Sequence, residues 1–80
     1  MANLALIVDD EKNTREGLKW ALEREGLEIH TAADGEEALA FVRERHTDLV
    51  ITDLKMPRMD GMELFHHLRE EHPEVDVIIL

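Results

Sequence analysis

Leu4-Ala5-Leu6-Ile7-Val8 is an unbroken apolar run that stops on two acids, Asp9 and Asp10. A strand with one wet face alternates apolar and polar residues, whereas a strand covered on both faces, as in a parallel sheet flanked by helices, does not. The run therefore predicts a central strand of an α/β sheet. Outward from it, Asn13 followed by Glu16 reads as a capping box. Leu18, Ala21 and Leu22 then share a helical face until Gly26, which predicts a first helix over Thr14–Glu25. Leu27 to Ala32 alternates, as an edge strand does.

The same rhythm returns twice more. Asp34-Gly35 turns the chain, Asp34 and Glu37 cap a second helix carrying Ala38, Leu39 and Val42 inward, and the helix ends near Arg45. Leu49 to Thr52 is a second buried strand. Asp60 with Glu63 caps a third helix with Leu64, Phe65 and Leu68 inward, and Pro73 separates it from a last strand, Val75 to Leu80. The order βαβαβαβ, with short connections, predicts an open, doubly wound parallel sheet.

Nineteen acidic against nine basic residues give a net charge of −10, which repels phosphate backbones and anionic lipid. Nucleic-acid and membrane binding by this segment are therefore not expected, and cationic partners, including metal ions, are favoured. Cysteine is absent, which removes disulfides and thiolate metal sites. Ala5 to Val8 is too short for a signal-peptide core, and Val77 to Leu80 spans no membrane. A cytoplasmic location is expected.

Open parallel sheets bind ligands beyond the carboxyl ends of their strands, where the winding reverses. Asp9 and Asp10 close the first strand and Asp53 closes the third. If the second strand lies at the edge, the first and third are neighbours and three carboxylates converge. Each disfavours the charge of the others, so a hard divalent cation is the simplest compensation, and Mg²⁺ suits such oxygen ligands. A carboxylate beside such a cation can act as a nucleophile towards phosphorus.

These residues, together with the strand Leu49 to Asp53 and the loop Lys55-Met56-Pro57-Arg58-Met59-Asp60-Gly61, make the chain resemble the receiver domain of two-component response regulators over all 80 residues. The resemblance implies a flavodoxin-like fold with strand order 2-1-3-4, phosphorylation of Asp53 by a sensor histidine kinase, and Mg²⁺ as cofactor. By the same match Asp10 ligates Mg²⁺ directly, Asp9 supports it through water, the main-chain carbonyl of Lys55 completes the protein ligands, and the Lys55 side chain is a modulator. Family members continue with a Thr or Ser beyond the fourth strand and a Lys beyond the fifth. The expectation is that residues 1–80 hold only the N-terminal part of the domain, without the fifth strand and last two helices. The resemblance is close to regulators that carry an ATPase and DNA-binding output domain, so a role in transcription regulation is implied. The alternative is an incomplete receiver serving as an interaction module. A haloacid dehalogenase-type hydrolase ranks third, because Asp53-Leu54-Lys55 lacks a second acid two residues after the nucleophile.

Other features read as structural. Asp34 and Asp60 are helix caps, and His66, His67 and His72 lie on a solvated face, adjacent histidines on a helix pointing about 100° apart. Met56, Met59 and Met62 are loop packing, and Trp20 sits at the margin of the buried face. Right-handed crossovers put the first helix on one sheet face and the next two on the other, leaving the first face half bare. With an apolar fourth strand at the edge, a homodimer or higher oligomer is expected, using Val77 and Ile79 or Ile78 and Leu80.

Overall fold

A computed structural model describes residues 3–80. Four strands, β1 (Leu4–Val8), β2 (Glu28–Ala32), β3 (Leu49–Thr52) and β4 (Asp76–Ile79), alternate with three helices, α1 (Lys12–Glu23), α2 (Gly35–Glu44) and α3 (Gly61–Glu71). All strands pair in parallel in the order β2-β1-β3-β4, the expected flavodoxin-like doubly wound arrangement. Every residue of β1 is buried, which explains its lack of alternation.

Alternate residues of β1 enter two separate cores. Leu6 and Val8 join Ala38, Leu39 and Val42 of α2, Val50, and Leu64 and Leu68 of α3. Ala5 and Ile7 pack with Ile29 against Leu18, Leu22, Leu27 and Leu49, a much smaller cluster. One face thus carries two helices and the other carries α1 alone. On the α1 side Ile78 is 47% exposed, while Val77 packs on the larger core from the opposite side of β4.

The helix caps at Asp34 and Asp60 are as expected: their carboxylates accept from the backbone N–H of Glu37 at 2.8 Å and of Glu63 at 2.9 Å. The start of α1 differs. Glu11, not Asn13, is the N-cap, its Oε1 accepting from Thr14 N at 2.8 Å and lying 3.2 Å from Thr14 Oγ1, so the helix begins at Lys12. A longer acidic side chain performs the reach usually made by Asn, Asp, Ser or Thr. The helix also ends earlier, at Glu23, and Gly26 turns the chain with φ +87°. Ala21 and Trp20 are exposed, because only the Leu18–Leu22 ridge of α1 meets the sheet. Trp20 instead stacks under the guanidinium of Arg24 at 4.9 Å.

In α3, Leu64 and Leu68 are fully buried but Phe65 only half, and Arg69 packs over its ring at 5.4 Å. His66 and His67 are exposed as expected. His72 is half-buried and is the C-cap of α3, its N–H donating to Leu68 O at 2.7 Å. Met56 enters the core, Met59 packs beside it, and Met62 is exposed. No helix among the described residues is long and apolar enough to cross a membrane.

Candidate functional site

The neighbouring of β1 and β3 aligns their carboxyl ends, Val8 against Thr52, so the residues that follow leave the sheet side by side. Asp53 N donates to Val8 O at 3.0 Å, and Asp9 N donates to Ala32 O at 3.2 Å, which pins both corners to the adjacent strands. As a result Asp9, Asp10 and Asp53 each place a carboxylate oxygen within 4.8 Å of the other two. The position of β2 at the edge makes this possible.

The three acids differ in surroundings. Asp9 is buried, and its Oδ1 accepts from Glu11 N at 2.9 Å, which tightens the turn into α1. Asp53 is half-buried and Asp10 is exposed. Asp10 and Asp53 have no hydrogen-bonded partner for their carboxylates among the described residues, leaving those oxygens free to meet an incoming cation. A set of hard, clustered oxygen donors with one open side fits Mg²⁺, which keeps several waters and takes few protein ligands. Lys55 lies two residues beyond Asp53, exposed, in the loop between β3 and α3. With Leu54, Met56, Pro57 and Asp60 it lines a cavity of about 590 Å³.

Three supporting residues had no individual role assigned from the sequence, although Arg58 and Gly61 lie in the loop that carried the resemblance. Gly61 begins α3 against the end of β3: its N–H donates to Leu54 O at 2.8 Å, and a Cβ there would lie 2.5 Å from Asp53 O. Arg58 holds the same loop to the start of α2, its Nη2 donating to Asp34 Oδ2 at 3.1 Å from a left-handed backbone, φ +67°. Asp34 is therefore more than a cap. Its carboxyl is held below the usual aspartate range by the Glu37 N–H first and by Arg58 in addition. Arg15, from α1, donates to the main-chain oxygen of Asp9 at 2.7 Å. Only a spacing of one helical turn from the acidic corner could have flagged Arg15, and that signal is weak by itself.

A model of the response regulator receiver domain family matches residues 5–80. The chain belongs to that family. It is 44% identical to the transcriptional regulatory protein SrrA of Staphylococcus aureus over all 80 residues, and spans 33% of that protein's length. Among solved structures, the response regulator TrrA of Thermotoga maritima, in complex with Mg²⁺-BeF, superposes with a TM-score of 0.93 at 43% identity, covering 96% of this chain and 67% of that one. TrrA has also been solved in complex with the histidine kinase ThkA, matching at a TM-score of 0.91. The chemotaxis protein CheY4 of Vibrio cholerae gives 0.93 at 32% identity, covering 99% of this receiver chain and 68% of its own. These matches agree with the observed receiver topology, 2-1-3-4.

Proposed function

We propose that this receiver chain accepts a phosphoryl group on Asp53 from the phosphohistidine of a sensor kinase, with Mg²⁺ as cofactor, in a cytoplasmic two-component pathway. The observation that carries the reading is the convergence of three carboxylates at the ends of β1 and β3, with those of Asp10 and Asp53 free of hydrogen-bonded partners among the described residues. Asp10 and Asp53 would hold the ion, Asp9 would orient it through water, and the Lys55 carbonyl would complete the set. The bound cation supplies charge compensation between carboxylate and phosphoryl oxygens.

In the transfer, an Asp53 carboxylate oxygen forms the new bond to phosphorus and the phosphorus–nitrogen bond of the donor breaks. The imidazole leaves with the electron pair. The chain's role is that of a phosphoacceptor assisting its own modification, and not of an enzyme with turnover. Residues 1–80 are read as the N-terminal part of a receiver domain, in keeping with their covering 67% of TrrA. By analogy with SrrA, transcriptional regulation is the proposed output of the pathway.

Incubation with acetyl phosphate and Mg²⁺, followed by peptide mass spectrometry, tests the proposal. The expected outcome is one phosphoryl adduct, on Asp53, that does not form when Mg²⁺ is chelated beforehand and is absent from Asp53→Asn. An adduct on another carboxylate would contradict it.

A further inference from the structure

Asp10 is exposed and its carboxylate has no hydrogen-bonded partner among the described residues, yet a metal ligand must be held in place. The residues on either side of it are tied down instead. Asp9 commits its N–H to Ala32 O at 3.2 Å and its Oδ1 to Glu11 N at 2.9 Å. Its main-chain oxygen, the one in the peptide that leads into Asp10, accepts from Arg15 Nη1 at 2.7 Å, a short charge-assisted bond. Arg15 is itself fixed by the first turn of α1, where its N–H donates to Glu11 O at 3.1 Å. Glu11 caps that turn through Thr14. Residues 9–15 thus close on themselves around Asp10.

We infer that Arg15 is a positioning residue for the cation site: by clamping the Asp9 carbonyl it fixes the Asp9–Asp10 peptide, and so presents the Asp10 carboxylate beside Asp53. This rests on the Mg²⁺ reading above. Two consequences of Arg15 oppose each other in sign. Its positive charge, near three carboxylates, weakens cation binding, whereas its clamp strengthens it by preorganisation. The clamp dominates, because the guanidinium is directed at a main-chain oxygen and long-range charge effects at a partly exposed site are screened.

Arg15→Met keeps the apolar stem and removes the donor. Calorimetric titration with Mg²⁺ is expected to give about 10-fold weaker binding in Arg15→Met, the lower end of what loss of an outer-shell partner costs, while Arg15→Lys, which can still donate to the carbonyl, recovers most of it. Binding as tight as in the unaltered chain, or tighter, would mean that charge and not position governs, and would overturn the inference. So would a Lys variant no better than Met. A second readout needs no metal: hydrogen exchange at the Glu11 amide, which donates to Asp9 Oδ1, is expected to accelerate in Arg15→Met while amides of β3 keep their protection. Unchanged Glu11 exchange would likewise overturn the clamp. If the unaltered chain binds no Mg²⁺, or binds it equally well as Asp10→Asn, the functional reading itself has failed, and the Glu11 exchange alone then decides whether the clamp exists.

Discussion

At the scale of single residues, the site depends on close approach as much as on acidity. Gly61 lies where any side chain would overlap backbone, 2.5 Å from Asp53 O and 2.9 Å from Leu54 Cα. Gly35 would also be crowded by a Cβ, but its neighbours at 2.6 and 2.9 Å are the sulfur and Cγ of Met59, a flexible chain. Gly61→Ala is therefore expected to destabilise the fold by about 1–3 kcal/mol, the usual cost of overpacking, and to weaken Mg²⁺ binding by shifting Asp53. Gly35→Ala should cost less and leave the Mg²⁺ affinity unchanged. Urea unfolding of both variants, with the same titration, checks the contrast. The acids were legible in the sequence because they terminate apolar strands. The roles of Arg15, Arg58 and Gly61 were not, because a clamp, an ion pair and a steric limit depend on which elements meet in space.

At the scale of elements, caps decided what could be read. Asp34 and Asp60, each with a Glu three residues on, fixed the starts of α2 and α3. The start of α1 was misplaced because Asn13 offers the commoner cap residue, while Glu11 lies closer to the corner that Asp9 tightens. These interactions also set an acid limit. The Leu4 N–H first and His46 second lower the Asp48 carboxyl, as the Glu37 N–H and Arg58 lower that of Asp34, and His30 then Arg45 that of Glu28. A carboxyl with a lowered value in the folded state binds protons less readily there than when unfolded. Its stabilisation is present above the ordinary values of 3.8 for Asp and 4.5 for Glu, and is lost as pH falls through the lowered folded values. Thermal melts should therefore show a flat Tm near neutrality and a decline at acid pH. Asp34→Asn, which keeps a cap oxygen but cannot titrate, should flatten that decline, and an acid limb identical to that of the unaltered chain would contradict the assignment.

At the scale of the whole molecule, the sheet is covered unevenly, with two helices against one. Right-handed winding made this foreseeable, but which residues of β4 stay open was not, since Val77 and Ile78 look alike in sequence. Ile78 and Leu80 are the exposed pair, at 47% and 61%. We propose self-association of this chain through that side of β4. Light scattering coupled to gel filtration should find a species above the 9.2 kDa chain mass that Ile78→Asp reduces to monomer; a monomer for the unaltered chain across micromolar concentrations would rule it out. A net charge of −10 opposes such association, so it should strengthen with added salt. That charge also bears on the site, because a cation at the acidic corner lowers the repulsion there.

The measurement that bears most directly on the central claim is calorimetric titration of Mg²⁺ into the unaltered chain, Asp10→Asn and Asp53→Asn. One cation per chain, bound weakly, with affinity strongly reduced in both variants, is the result expected if the carboxylates at the ends of β1 and β3 act as a single site. Isotherms that are the same for all three proteins would show that the convergence of Asp9, Asp10 and Asp53 is not a metal centre, and the phosphoacceptor account built on it would fall.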